Sequence, residues 1–189
     1  MPRLIPLWSV AVALSVACPI SLSAENARDV ARYSFTVANA PKDTVSPNGR
    51  MRVRIIRWST DAERQQLIAA LEEPSKLLNA FQAGDVGYLQ WPGGLEYSVR
   101  YARRTARPDG GADIVLVVQR PLWLWWDASN PWAADQHFTV VNMRLKKDGT
   151  GEGRIATGTG FQRDTDNGIV VSDATKPPLL VDVRVEAVG

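Results

Sequence analysis

The sequence predicts a mainly β fold with an α+β leaning: an antiparallel meander of about eight strands forming a small barrel or a sandwich, with one helical hairpin inserted after the second strand. Three observations predict it. Turn signals recur at Pro47-Asn48-Gly49, Asp109-Gly110-Gly111, Asp148-Gly149 and Asn167-Gly168, and Asn-Gly or Asp-Gly supplies the positive φ angles of tight hairpin turns. Alternating or β-branched runs lie between them. Only one stretch, starting at Trp58-Ser59-Thr60-Asp61-Ala62-Glu63, carries a helix-start signal.

The first element is not part of the fold. Met1-Pro2-Arg3 is a short basic start, no charge occurs from Leu4 to Ala24, and Pro19 is followed by Ser21, Ser23 and Ala24. That order of parts is a secretory signal peptide over residues 1–24, leaving residues 25–189 as a single domain. Two rivals stand beside it. The uncharged stretch is long enough to be an uncleaved membrane anchor, and Leu14-Ser15-Val16-Ala17-Cys18 approximates a lipoprotein signal that would anchor the chain through Cys18. Cleavage leaves no membrane span and gives an exported protein, periplasmic or secreted.

Eight strands follow from the runs at Val30–Ala38, Arg50–Trp58, Glu96–Thr105, Ala112–Gln119, His137–Lys146, Glu152–Phe161, Gly168–Ser172 and Leu179–Glu186, and the sheet resumes near Val86–Leu89 after the helices. In Arg50–Ile55 three arginines share one face while Met51, Val53 and Ile55 share the other. In Val181–Glu186 the valines point one way and Asp182, Arg184 and Glu186 the other. Ile114–Val118 is apolar on both faces, as suits a central strand. The helical insertion spans residues 60–83. Thr60 and Glu63 form a capping box, Leu67, Ile68 and Leu71 form an apolar stripe, and Pro74 ends or kinks the helix. A second helix over Ser75–Gln82 presents Leu77, Leu78 and Phe81, with Gly84 to terminate it. The pair packs on the sheet or plugs one end like a lid.

Composition bounds the function. The chain has 189 residues, 45% hydrophobic and 22% charged, with one Cys (Cys18), one His (His137) and seven Trp. Disordered, collagen-like and polytopic membrane classes are excluded. So are a disulfide framework within the chain and a Cys/His zinc cluster. No cofactor and no metal site is expected. A formal charge of +2 is too near neutral for a nucleic-acid binder.

The densest chemistry lies at Pro121–Trp132. Trp123 and Trp125 share one face of an extended chain and Trp126 takes the other. Trp132 follows a turn from Asp127 to Pro131. Exposed indoles there would stack on a sugar-like or apolar ligand, with Asp127 and Asn130 as polar partners; buried, they would close one end of the core. Asp135 and His137 fall on one side of an extended chain, an acid–base couple in principle, but no G-x-S-x-G elbow supplies a nucleophile. Asp164–Gly168 begins like a calcium loop and lacks its closing Glu, so it reads as a polar hairpin. Gly149–Gly153 and Gly158–Gly160 lack the helix a phosphate cradle needs and read as turns and strand bulges. Arg50, Arg52, Arg54, Arg100 and Arg104 would line an anion pocket if their strands were neighbours; the commoner fate of such rows is a solvated outer face interleaved with carboxylates.

Several blocks together resemble a family of uncharacterised bacterial exported proteins. They are Ile56–Glu63, Val86–Gly93, Tyr97–Arg104 with Asp109-Gly110-Gly111, Phe138–Leu145 and Asp148–Gly153. The resemblance covers most of the chain after residue 24 and implies an exported single domain, without a mechanism. The Trp-heavy stretch at 123–132 departs from that pattern. The function expected is a non-catalytic binding or interaction domain that uses its Trp-rich end (123–132) for a small, partly apolar ligand or a partner such as an envelope protein. The alternative is a periplasmic hydrolase or isomerase using His137 with Asp135 or Asp127.

Overall fold

The computed structural model describes residues 29–38, 49–71, 76–77, 80–81, 84–90, 92, 96–118, 138–158, 161–163, 169–171 and 179–188. Among the described residues the elements are, in chain order, β1 (Ala31–Ala38), β2 (Met51–Ile55), α1 (Asp61–Leu71), β3 (Gly87–Gln90), β4 (Glu96–Ala106), β5 (Ala112–Val118), β6 (Phe138–Leu145), β7 (Thr150–Gly158), β8 (Phe161–Arg163), β9 (Ile169–Val171) and β10 (Leu179–Glu186). Eight of these strands close into an antiparallel barrel in the order β1-β10-β7-β6-β5-β4-β3-β2. Of the two architectures open to the sequence, the barrel is the one formed. From β2 to β7 each strand pairs with its successor, while β1 closes the ring by pairing with both β2 and β10. β8 and β9, which follow β7 in the chain, pair with each other as a separate two-stranded sheet.

Period-two alternation fills the inside. Tyr33, Phe35, Met51, Val53, Ile55, Leu89, Ile114, Leu116, Val141, Met143, Leu145, Ile155 and Leu180 belong to one buried cluster. Eight strands leave an interior about as wide as the side chains that occupy it, and here it is a side-chain core. β7 reaches that core through Ile155, Gly153 and Gly151, spaced two apart along the strand. A Cβ on Gly151 or Gly153 would stand 2.2 and 2.3 Å from the carbonyl oxygens of Arg144 and Asn142 on β6, so only glycine lets these strands close.

Two of the expected turns are described, and both work as read. Gly110 and Gly149 have φ of 81° and 80°. Asp109 and Asp148 each accept the backbone N–H two residues on, at 2.9 Å. The capping box is also present: Thr60 Oγ1 accepts the Glu63 N–H at 3.2 Å, and a Glu63 carboxylate oxygen accepts the Thr60 N–H at 2.7 Å. Just before it, Ser59 exchanges hydrogen bonds with the Ala102 backbone, its N–H to the carbonyl and its Oγ from the amide, which pins the start of α1 to β4. Lys76, Leu77 and Ala80 are helical as well.

The helical pair lies on the outside of the barrel, along a wall, and not over an end. Leu67 and Ala70 of α1, with Leu77 and Phe81, pack on Tyr101, Val117, Phe138 and Val140. Tyr101, Val117 and Val140 are one cross-strand row of β4, β5 and β6. This changes the reading of Ile114–Val118: a closed barrel has no central strand, and β5 is apolar on both faces because the helices cover its outside. β10 also differs from its expected alternation. Ser34 pairs with Arg184 and Thr36 with Val181, so β10 carries an extra residue opposite Phe35. Asp182 takes the bulge with φ of 52°. The bulge puts Val181, 40% exposed, and the buried Val183 on different faces, while Val185, paired with Tyr33 two residues beyond Val183, is 49% exposed. Among the described residues, no helix is long and apolar enough to cross a membrane.

Candidate functional site

The residues singled out from the sequence, Trp123, Trp125, Trp126, Asp127, Asn130, Trp132, Asp135 and His137, lie outside the described residues, as does Asp164–Gly168. What is described is how the 119–137 segment is anchored. β5 and β6 stay in register to the pair Val118–Thr139. Phe138, at the start of β6, packs its ring on Phe81 of the helical pair with centroids 4.7 Å apart and planes tilted 50°. The segment therefore leaves and re-enters the barrel through two adjacent strands braced by the helices.

A second candidate lies on the opposite wall, where the outward positions are polar. Two cross-strand rows compose it. One runs Glu186, Arg32, Arg54, Tyr88, Ser98 across β10, β1, β2, β3 and β4; the next runs Arg184, Ser34, Arg52, Gln90, Glu96. Between them opens a shallow cleft of about 200 Å³ lined by Arg32, Arg52, Arg54, Tyr88, Gln90, Glu96 and Glu186, with Val53 at its floor. The Arg54 guanidinium stacks over the Tyr88 ring at 4.6 Å from the centroid and meets Glu96 at 3.5 Å. Arg32 is held at 2.6 Å by Asp29, whose side chain is buried.

Below the cleft, Arg50 binds the Asp182 carboxylate, donates to the Asp182 carbonyl at 2.8 Å and reaches Ser34 Oγ at 3.0 Å. Arg184 adds a contact to Asp182 at 2.8 Å. These hydrogen bonds, Arg50's first and then Arg184's, hold the Asp182 carboxyl below the usual carboxylate range. The bulge residue is thus the acceptor that ties β2 to β10.

The arginine row read from the sequence is only partly brought together. Arg52 and Arg54 line the cleft and Arg50 lies beside it. Arg100 instead pairs with Asp85 at 2.9 Å. A bulge between Val99 and Tyr101 resets the alternation of β4, and Arg104 falls two residues from the inward-facing Ala102. There its charge partly offsets the burial that raises the Tyr33 phenol's pKa. Arg32, Tyr88, Gln90, Glu96 and Glu186 were not legible as site residues, because no local pattern announces which strands become neighbours. Among the described residues, no group of three or more His, Cys, Asp or Glu side chains is placed to hold a metal ion.

Comparison with protein families, with curated proteins and with solved structures finds no match for this chain.

Proposed function

We propose that the chain is an exported, non-catalytic binding domain whose barrel carries the Trp-rich stretch 123–132 for a small, partly apolar or sugar-like ligand or an envelope protein. The observation that carries this reading is the connection between β5 and β6. Two strands paired up to Val118–Thr139 need roughly two to five residues to turn, yet residues 119–137 intervene and hold Trp123, Trp125, Trp126 and Trp132. Connections between neighbouring strands carry binding and catalytic residues more often than the strands they join, and this one is far longer than the turn requires. The packed barrel core supports the same reading from the other side. With its interior occupied by its own side chains, the domain has outer walls and connections left for recognition.

Export rests on residues 1–24 and on the resemblance to exported proteins. Mass spectrometry of the mature N-terminus tests it: a chain beginning near Glu25 is expected, and an acylated Cys18 would replace free export with lipid anchoring. Fluorescence tests the binding segment. In a Trp58→Phe, Trp91→Phe background of the cleaved chain, the remaining indoles belong to 123–132. Emission quenched by acrylamide is expected; blue-shifted emission insensitive to the quencher would make these rings core and remove the proposal.

A further inference from the structure

The arginine cleft is the place on the described surface where the fold sets like charges together without fully answering them. The β1–β2 register puts Arg32 directly opposite Arg54, and like charges facing one another across an antiparallel ladder are destabilising. Beside the cleft, Arg50 and Arg184 share the single carboxylate of Asp182. Within the cleft the matching is uneven. Asp29 grips Arg32 closely, whereas Arg54 meets Glu96 only at 3.5 Å with both side chains about two-fifths exposed, a pair that contributes little. Arg52 has Ser34 and Gln90 as cross-strand neighbours and no carboxylate partner among the described residues.

We propose that this cleft binds the carboxylate group of a small organic acid. Arg52 supplies a two-pronged guanidinium grip, the geometry that matches a planar carboxylate. Arg54, its plane set by the Tyr88 ring, adds the second charge, and the Gln90 amide adds a neutral donor beside Arg52. The charge of the lining selects the class of anion. Counting the cleft with the groups that hold it, five arginines (Arg32, Arg50, Arg52, Arg54 and Arg184) stand with four carboxylates (Asp29, Glu96, Asp182 and Glu186), a surplus of one positive charge that a monocarboxylate meets. A phosphate ester carries roughly −1.5 to −2 near neutral pH and would set its excess charge against Glu96 and Glu186 on the flanks. The size agrees, because about 200 Å³ lies below the range of drug-sized ligand pockets.

The test is a titration of the full ¹⁵N-labelled chain followed through its arginine Nε–H signals. Sodium acetate is the probe, with inorganic phosphate in parallel and ionic strength held constant by sodium chloride. The Arg52 signal is assigned by its loss in Arg52→Gln. A saturating shift of Arg52 and Arg54, with Arg144 on the far wall unmoved, is expected. Following the Arg54 signal, Arg52→Gln should weaken acetate binding roughly tenfold. Gln90→Glu, which sets a carboxylate beside Arg52 in cis, should abolish saturation. Shifts that grow linearly, that appear equally at Arg144, or that survive Arg52→Gln unchanged would overturn the proposal. Saturation by phosphate at lower concentration than acetate would overturn the assignment to carboxylates.

Discussion

The outside of this barrel is two different surfaces built on one continuous sheet. Across β4, β5 and β6 the outward residues include Tyr101, Val117, Val140 and Phe138, and a helical pair buries these four with Leu67, Ala70, Leu77 and Phe81. Across β10, β1, β2 and β3 the outward residues include Glu186, Arg184, Arg32, Arg52, Arg54, Tyr88 and Gln90, and that wall forms an open cleft. The inward residues of both halves belong to the same core. The strands therefore differ in their outer row alone. An apolar outer row must be covered to gain its burial free energy, and a charged one must stay wet to keep its hydration. The covered wall supplies stability, and the open wall keeps its arginines in contact with solvent, Arg32, Arg50, Arg54 and Arg184 each beside a carboxylate.

The largest effect should come from placing a charge under the helices. Val117→Asp sets an unpaired carboxylate on a fully buried row and should cost about 4 kcal/mol or more, read as a loss of midpoint in urea denaturation. A change as mild as that expected on the open wall would mean that the helical pair is not anchored there. Next is Leu67→Ala, which empties a nearly fully buried position between α1 and the wall. It should cost about 2–4 kcal/mol by the same measurement.

A smaller and pH-dependent effect belongs to Glu63, where the covering helix begins. Arg57 grips both oxygens of Glu63 at 2.8 and 3.0 Å. Chiefly through those bonds the carboxyl is held down from 4.5 to about 2. A lowered native pKa stabilises the fold above the unfolded value, and the contribution drains as pH falls from 4.5 toward about 2. Glu63→Gln should cost about 1–2 kcal/mol near neutral pH, since Arg57 is partly exposed to solvent. It should also flatten the stability profile on the acid side. A variant whose acid limb matches the parent's would assign that limb to other carboxylates. The smallest effect is expected on the open wall, where Glu96→Gln breaks the exposed contact with Arg54 and should shift stability by no more than about 0.5 kcal/mol.

Much of the fold was legible because it is encoded locally. The capping box needs only Thr60 and Glu63 three residues apart. The Asp-Gly turns need only a residue that tolerates positive φ. The alternation of Met51–Ile55, buried and exposed in turn, follows from the pleat. Reading failed where one inserted residue changes the count. The bulge at Asp182 moved Val181 and Val183 to different faces, and the bulge before Tyr101 sent Arg100 and Arg104 apart. The open-wall site was half legible. Arg52 and Arg54 stood out as a row, while Arg32 and Glu186 are far from them or from each other in sequence and meet only through pairing.

By itself the sequence determined the barrel's strand segments, the helix α1, the described turns and which face of β2 is charged, since those depend on dihedral preferences and period within a few residues; it joined β7 and β8 into one run. The tertiary structure decided that the sheet closes, that β1 joins β10, that the helices cover a wall and not an end, and that Arg32 faces Arg54. Those outcomes depend on register between segments far apart in the chain. Register is set by how the whole core packs, and no local pattern specifies it.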